Sequence, residues 1–192
     1  SMLTITPSPS EQFDSVDFFG NQTTTFVHSD VHSEMAITMA CRIDVQAPAP
    51  LLDFPLTAEQ LAVELADVRE MGPLSPTHFL GPSPRLAANS EISAFARAIR
   101  RDGDSVADTV MRLGEALHGI MTFDAMATTV DTNAVDAFRL KRGVCQDYSH
   151  VMILALRALG IPAGYVSGYL RTLPPKGGTR LEGADAMHAW VK

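Results

Sequence analysis

The chain has 192 residues, 46% of them hydrophobic and 19% charged, with a formal net charge of −7. That length suits one ordinary domain, or a domain with a small partner, and the low charge with frequent apolar residues excludes a disordered chain. The acidic balance disfavours nucleic acid or an anionic membrane as partner, since both reward basic patches, and no apolar run approaches the ~18 residues of a membrane span.

The N-terminal stretch SMLTITPSPSEQF lacks a basic region followed by an apolar one, so no signal peptide is expected. Ser1 ahead of Met2 reads as a cleavage scar from an expression tag, so the ends need not be the natural ones. The first third reads as β. From His32 to Val45, Met35, Ile37, Met39, Cys41, Ile43 and Val45 alternate with smaller or polar residues, which predicts a strand with one buried side. Cys41 on that apolar face is expected to be structural. Upstream, NQTTTFV is rich in Thr and in β-formers and HSD offers a turn, so a hairpin is predicted, with Phe13 to Asn21 leading into it.

Seven of the twelve prolines lie between Pro48 and Pro84, a texture that cannot be regular throughout. We therefore divide the chain into a β region (1–50), a Pro-rich connector (51–88) and a core (89–192). Inside the connector, residues 57–72 predict a short helix ending at Gly72. From Asn89 the spacing turns helical, with Ile92, Phe95, Ala96 and Ile99 following an Asn89 or Ser90 cap. Ser105 with Asp108 is a capping-box variant ahead of the stripe Val106, Val110, Leu113, Leu117 and Ile120. Thr132 opens a shorter helix carrying Val135 and Phe138, with Gly143 suited to its left-handed C-terminal position.

The segment from Cys145 to Leu159 is apolar nearly all round, the signature of a helix surrounded by protein. Gly160, Ile161 and Pro162 end it, and AGYVSGYLRT and HAWV predict two strands. A lone cysteine beside a core helix is usually packing. Cys145, however, falls in the first helical turn, where free N–H groups and the helix dipole stabilise a thiolate and can hold an oxyanion. Acyl transfer also needs an acid/base. Asp147 and His150 lie about 200° and 140° round the axis from Cys145 and do not face it. His28 and His32 stand in the β region, where an i, i+4 pair does not share a face, so no metal site is expected there. His78 belongs to the connector, and His118 sits in a last helical turn, where the dipole favours its cation. His188, opening the HAWV strand, is the remaining candidate, the other reading being a polar residue at a strand mouth.

The stretch RGVCQDYSHVMILALRALGIPAGYVSGYL followed by DAMHAWV closely resembles the core of the transglutaminase-like superfamily, in its bacterial branch. The match runs from Gly143 to Val191, the helices from Asn89 to Arg142 fit it, and DFFGNQTTTF is similar to the β region that precedes the core in bacterial members. The resemblance implies a papain-like α+β fold, a cysteine-bearing buried helix packed on an antiparallel sheet behind a small β region. It implies Cys145 as nucleophile, with its own N–H as an oxyanion donor, and His188 as acid/base. A third, acidic member is expected on the strand after the histidine, hence beyond Lys192. Asp185 is a conceivable substitute that does not match the pattern. On this reading the chain is clipped at both ends and this form is nearly inactive.

The function expected is cysteine-dependent acyl transfer on amide bonds of a protein or peptide, as peptidase, amidase or transglutaminase. The alternatives are a non-catalytic interaction domain keeping the fold, and redox sensing by Cys145, for which no resolving cysteine lies nearby in sequence. No cofactor or metal is expected: two cysteines without a CxxC or Cys/His cluster suggest free thiols in a reducing cytoplasm. Oligomeric state is not legible.

Overall fold

The computed structural model describes residues 2–44, 55–169 and 187–192. Val45, the end of the predicted AGYVSGYLRT strand from Leu170, and Asp185 lie outside the described residues. The chain divides into two compact units, residues 1–53 and 54–192.

In the first unit, β1 (Met2–Thr6) pairs antiparallel with β4 (Ala36–Ala40), setting Leu3 opposite Met39 and Ile5 opposite Ile37. β2 (Glu11–Val16) and β3 (Gln22–Val27) form a hairpin. Its turn is built by Asp17, whose Oδ1 accepts the N–H groups of Phe19 and Asn21, with Gly20 at φ +85°. Three expectations are corrected by this unit. NQTTTFV is paired by the residues before it, because the Asp17 turn closes locally, and the HSD stretch is not the hairpin's turn. The long alternating run contributes only Ala36–Ala40 as strand, and its apolar side is not buried, since Met35, Ile37 and Met39 are exposed. Cys41, read as a packed core thiol, lies beyond the end of β4 and is exposed. A two-stranded ribbon has one face too many to cover by itself, which is why alternation alone overstated the burial.

The second unit is mostly helical and is arranged around one central helix. α1 (Ala58–Asp67) is capped by Thr57 and ends at Val68, four residues short of Gly72. A 3-10 turn (Pro76–Phe79) follows. The connector does not stand apart from the core: Leu86 is buried in it and Leu61 packs against it. α2 (Ser90–Ile99) takes Asn89 as its cap and buries Ile92 and Ala96, and α3 (Val106–Ile120) starts at the Ser105–Asp108 capping box. α4 (Ala134–Leu140), capped by Asn133, ends at Lys141, which itself adopts the left-handed conformation (φ 56°) that Gly143 was expected to supply. An Arg139–Glu91 ion pair ties α4 to α2.

The central helix is α5 (Cys145–Ala158), whose Val151, Ile153, Leu154, Ala155 and Leu156 are all buried. It packs against α2, α3, α4 and the ribbon of β7 (Tyr165–Tyr169) with β8 (Met187–Val191). Gly160, at φ +76°, turns the chain out of it toward β7. β7 and β8 are antiparallel, with Ser167 opposite Ala189 and Gly168 opposite His188. A parallel two-residue pair, β5 (Thr122–Phe123) with β6 (Arg142–Gly143), joins the end of α3 to the entrance of α5. Among the described residues no helix is long and apolar enough to cross a membrane.

Candidate active site

The site begins at the turn into α5. Helices α1 to α4 each start at a Thr, Asn or Ser whose side chain accepts a first-turn N–H. α5 starts at Val144, which has no side-chain acceptor. No hydrogen bond among the described residues takes the N–H of Cys145 or Gln146, so the first turn carrying Cys145 keeps free donors at the positive end of the helix dipole. The thiol is half-buried and not disulfide-bonded.

The turn is gripped from behind by Asp147, which is fully buried. Its Oδ2 accepts the Val144 N–H at 2.8 Å and the Thr128 hydroxyl at 2.6 Å, while Oδ1 has no partner among the described residues. Gly143 lies directly against this carboxylate, and a Cβ there would sit 2.5 Å from Oδ2 and 2.7 Å from the Asp147 Cβ. Since Asp147 has nowhere to retreat, Gly143→Ala is expected to cost about 1–3 kcal/mol, the usual scale of overpacking. Urea denaturation would show it, and a midpoint equal to the parent's would refute it.

The β5–β6 pair brings the end of α3 beside this turn, through Thr122 N–H to Lys141 O (2.9 Å) and Asp124 N–H to Gly143 O (3.0 Å). The result is an open cleft of about 550 Å³, with Cys145 in its wall beside His118, Met121, Phe123, Tyr148 and Ala189. His118, which sequence spacing assigned to a helix end, therefore shares the cleft with the thiol. Its place depends on a strand pairing that no local pattern announces. Tyr165 is also in electrostatic reach of Cys145: burial, and then the Cys145 thiol, push its phenol upward.

His188 is half-buried on β8. The cleft wall is formed by its neighbour Ala189, and strand alternation sets the two side chains on opposite faces. No hydrogen bond between described residues joins His188 to Cys145. His150, as the helical spacing implied, points elsewhere: it is 5% exposed, its ring lies 5.1 Å from that of Tyr165, and its Nδ1 has no partner among the described residues. His28 and His32 have ring centroids 4.8 Å apart, yet no group of three or more potential metal ligands occurs among the described residues.

Burial, followed by the Arg85 charge, lowers the His150 pKa, with Asp147 opposing them. The folded chain thus binds the imidazole proton less readily than the unfolded chain, which titrates near 6.5. The neutral ring's contribution is complete above that pH and is lost as pH falls through the depressed folded value. Melting temperatures compared between about pH 7.5 and about pH 5.5 should drop less in His150→Gln than in the parent. Equal drops would rule the linkage out.

A buried helix carrying Cys145 at its start, packed on an antiparallel ribbon within mixed α and β structure, defines the papain-like α+β class. The transglutaminase-like superfamily model matches residues 93–192, just over half of the chain. The chain belongs to the transglutaminase-like superfamily. It is 31% identical over 189 residues to an uncharacterized protein of Mycobacterium tuberculosis, covering 98% of this chain and 60% of the relative. An uncharacterized protein of Mycobacterium leprae is 25% identical over 181 residues, covering 92% and 60%. The chain thus spans 60% of the length of these relatives. Its fold is similar to that of a candidate cysteine protease from Cytophaga hutchinsonii, with a TM-score of 0.66 at 19% identity over 99% of this chain and 59% of that one.

Proposed function

We propose that the protein is a cysteine-dependent acyl-transfer enzyme acting on amide bonds of a protein or peptide. The observation that carries this reading is Cys145 at the start of a buried helix whose cap side chain takes no first-turn N–H, in the wall of an open cleft. Free N–H groups there are available to hold an oxyanion formed on an attacked carbonyl.

In the proposed sequence the Cys145 proton passes to His188, and the thiolate adds to the amide carbonyl. The tetrahedral oxyanion accepts from the Cys145 N–H. Collapse breaks the C–N bond as His188 returns the proton to the departing amine, leaving a thioester. Water then releases the acid, giving peptidase or amidase chemistry, whereas a primary amine gives transamidation. Met121, Phe123 and Tyr148 offer an apolar wall for the acyl portion of the substrate.

The test offers a glutamine peptide, and a panel of unrelated peptides, with and without a primary amine, to the full-length protein that carries this chain. Mass spectrometry should find acyl adducts on Cys145 and either hydrolysed or amine-linked product. Iodoacetamide should alkylate Cys145 faster than exposed Cys41, the internal reference, at neutral pH. A Cys145 that forms no thioester and alkylates like Cys41 would leave the interaction-domain reading in its place.

A further inference from the structure

We propose that Asp147, acting with Thr128, is a positioning residue for acyl transfer at Cys145: it holds the nucleophile turn from behind so that the front N–H groups stay free for the substrate. The inference rests on the acyl-transfer reading above and adds a residue to it.

A carboxylate is a poor neighbour for a thiolate, because like charges repel. Its presence two residues after Cys145 therefore needs a reason, and the hydrogen bonds supply one. At about 200° round the axis from Cys145, Asp147 reaches the turn from the side away from the thiol. There it takes the Val144 N–H (2.8 Å) and leaves those of Cys145 and Gln146 alone. Thr, Asn or Ser at the cap position, as on α1 to α4, would instead take a first-turn N–H. Asp147 thus orders the turn without consuming the donors that chemistry requires.

The same carboxylate latches the 124–133 loop, through Thr128 Oγ1 at 2.6 Å. Two further bonds hold that loop to the same turn: Gln146 Nε2 to Val130 O at 3.1 Å and Asp124 N–H to Gly143 O at 3.0 Å. Arg85 also donates to Val130 O. Asp147 is fully buried and Gly143 is in van der Waals overlap range of any added Cβ, so the grip has no slack.

An oxyanion hole matters for acylation, which passes through a tetrahedral intermediate, and not for alkylation by direct displacement. The experiment compares the two at Cys145 by site-resolved mass spectrometry. p-Nitrophenyl acetate transfers its acetyl group to sulfur and releases p-nitrophenolate; iodoacetamide alkylates with loss of iodide. Asp147→Ala should slow acetylation about 10- to 100-fold while alkylation changes less than about 3-fold. Asp147→Asn, whose side-chain oxygen can still accept the Val144 N–H, should stay within about 5-fold of the parent in both. Thr128→Val, half-buried and isosteric, should slow acetylation about 3- to 10-fold and supports or refutes the idea even if Asp147→Ala fails to fold.

Parental acetylation in Thr128→Val, or parallel loss of acetylation and alkylation in either variant, would overturn the assignment. A parent whose Cys145 acetylates no faster than its exposed Cys41 would overturn the acyl-transfer reading itself, and the assignment with it.

Discussion

Cys145→Ala is expected to abolish acyl transfer, by a factor of at least about 10³, while the chain stays folded. The size of the effect follows from the thiol's role: without sulfur no thioester forms, and only binding and the free N–H groups remain to act on the amide. The fold should tolerate the change, because the side chain is small, half-buried at the cleft wall and outside the helix's buried stripe. Stability should fall by no more than about 1 kcal/mol, the scale of one partly buried group of this size. The decisive measurement is thioester formation alongside thermal melting. Product formed at parental rates by the folded variant would remove Cys145 from the mechanism and with it the proposed function.

The second large effect concerns the histidine partner. His188→Ala should lower turnover about 10²- to 10⁴-fold, the range of a positioned general acid/base. His118→Ala should cost less than about 10-fold, as expected of a residue that lines the cleft without moving the essential proton. The comparison is sharp because the family resemblance points to His188, whereas the geometry puts His118 among the cleft-lining residues. His118 shares the cleft with Cys145, whereas β8 presents Ala189 to it and carries His188 on the adjacent position. A reversed order of losses would make His118 the acid/base and reduce the HAW strand to a structural wall.

The helical core was legible in the sequence because its signals are local. Asn89 and the Ser105–Asp108 box are caps in fact, and the all-round apolar segment from Cys145 is the central helix, packed on four sides by the other helices and a ribbon. The GVCQD step also announced a thiol at a helix N-terminus. The β region was read less well. Alternation located Ala36–Ala40 but named the wrong partner and a burial that is not there, since a strand's period says which residues share a face and nothing about what covers that face. Lys141 took the left-handed position in place of Gly143, whose smallness is needed two elements later, against Asp147.

The sequence by itself determined the core helices, the caps at Asn89 and Ser105, the nucleophile candidate and the resemblance that names the family, because each is written within a few turns of chain. Only the tertiary structure decided that Asp147 and Thr128 grip the turn, that β5 and β6 pair, and that His118 faces the cleft. Those relations join residues 19 to 27 positions apart through hydrogen bonds and strand pairing, and spacing along the chain carries no record of them.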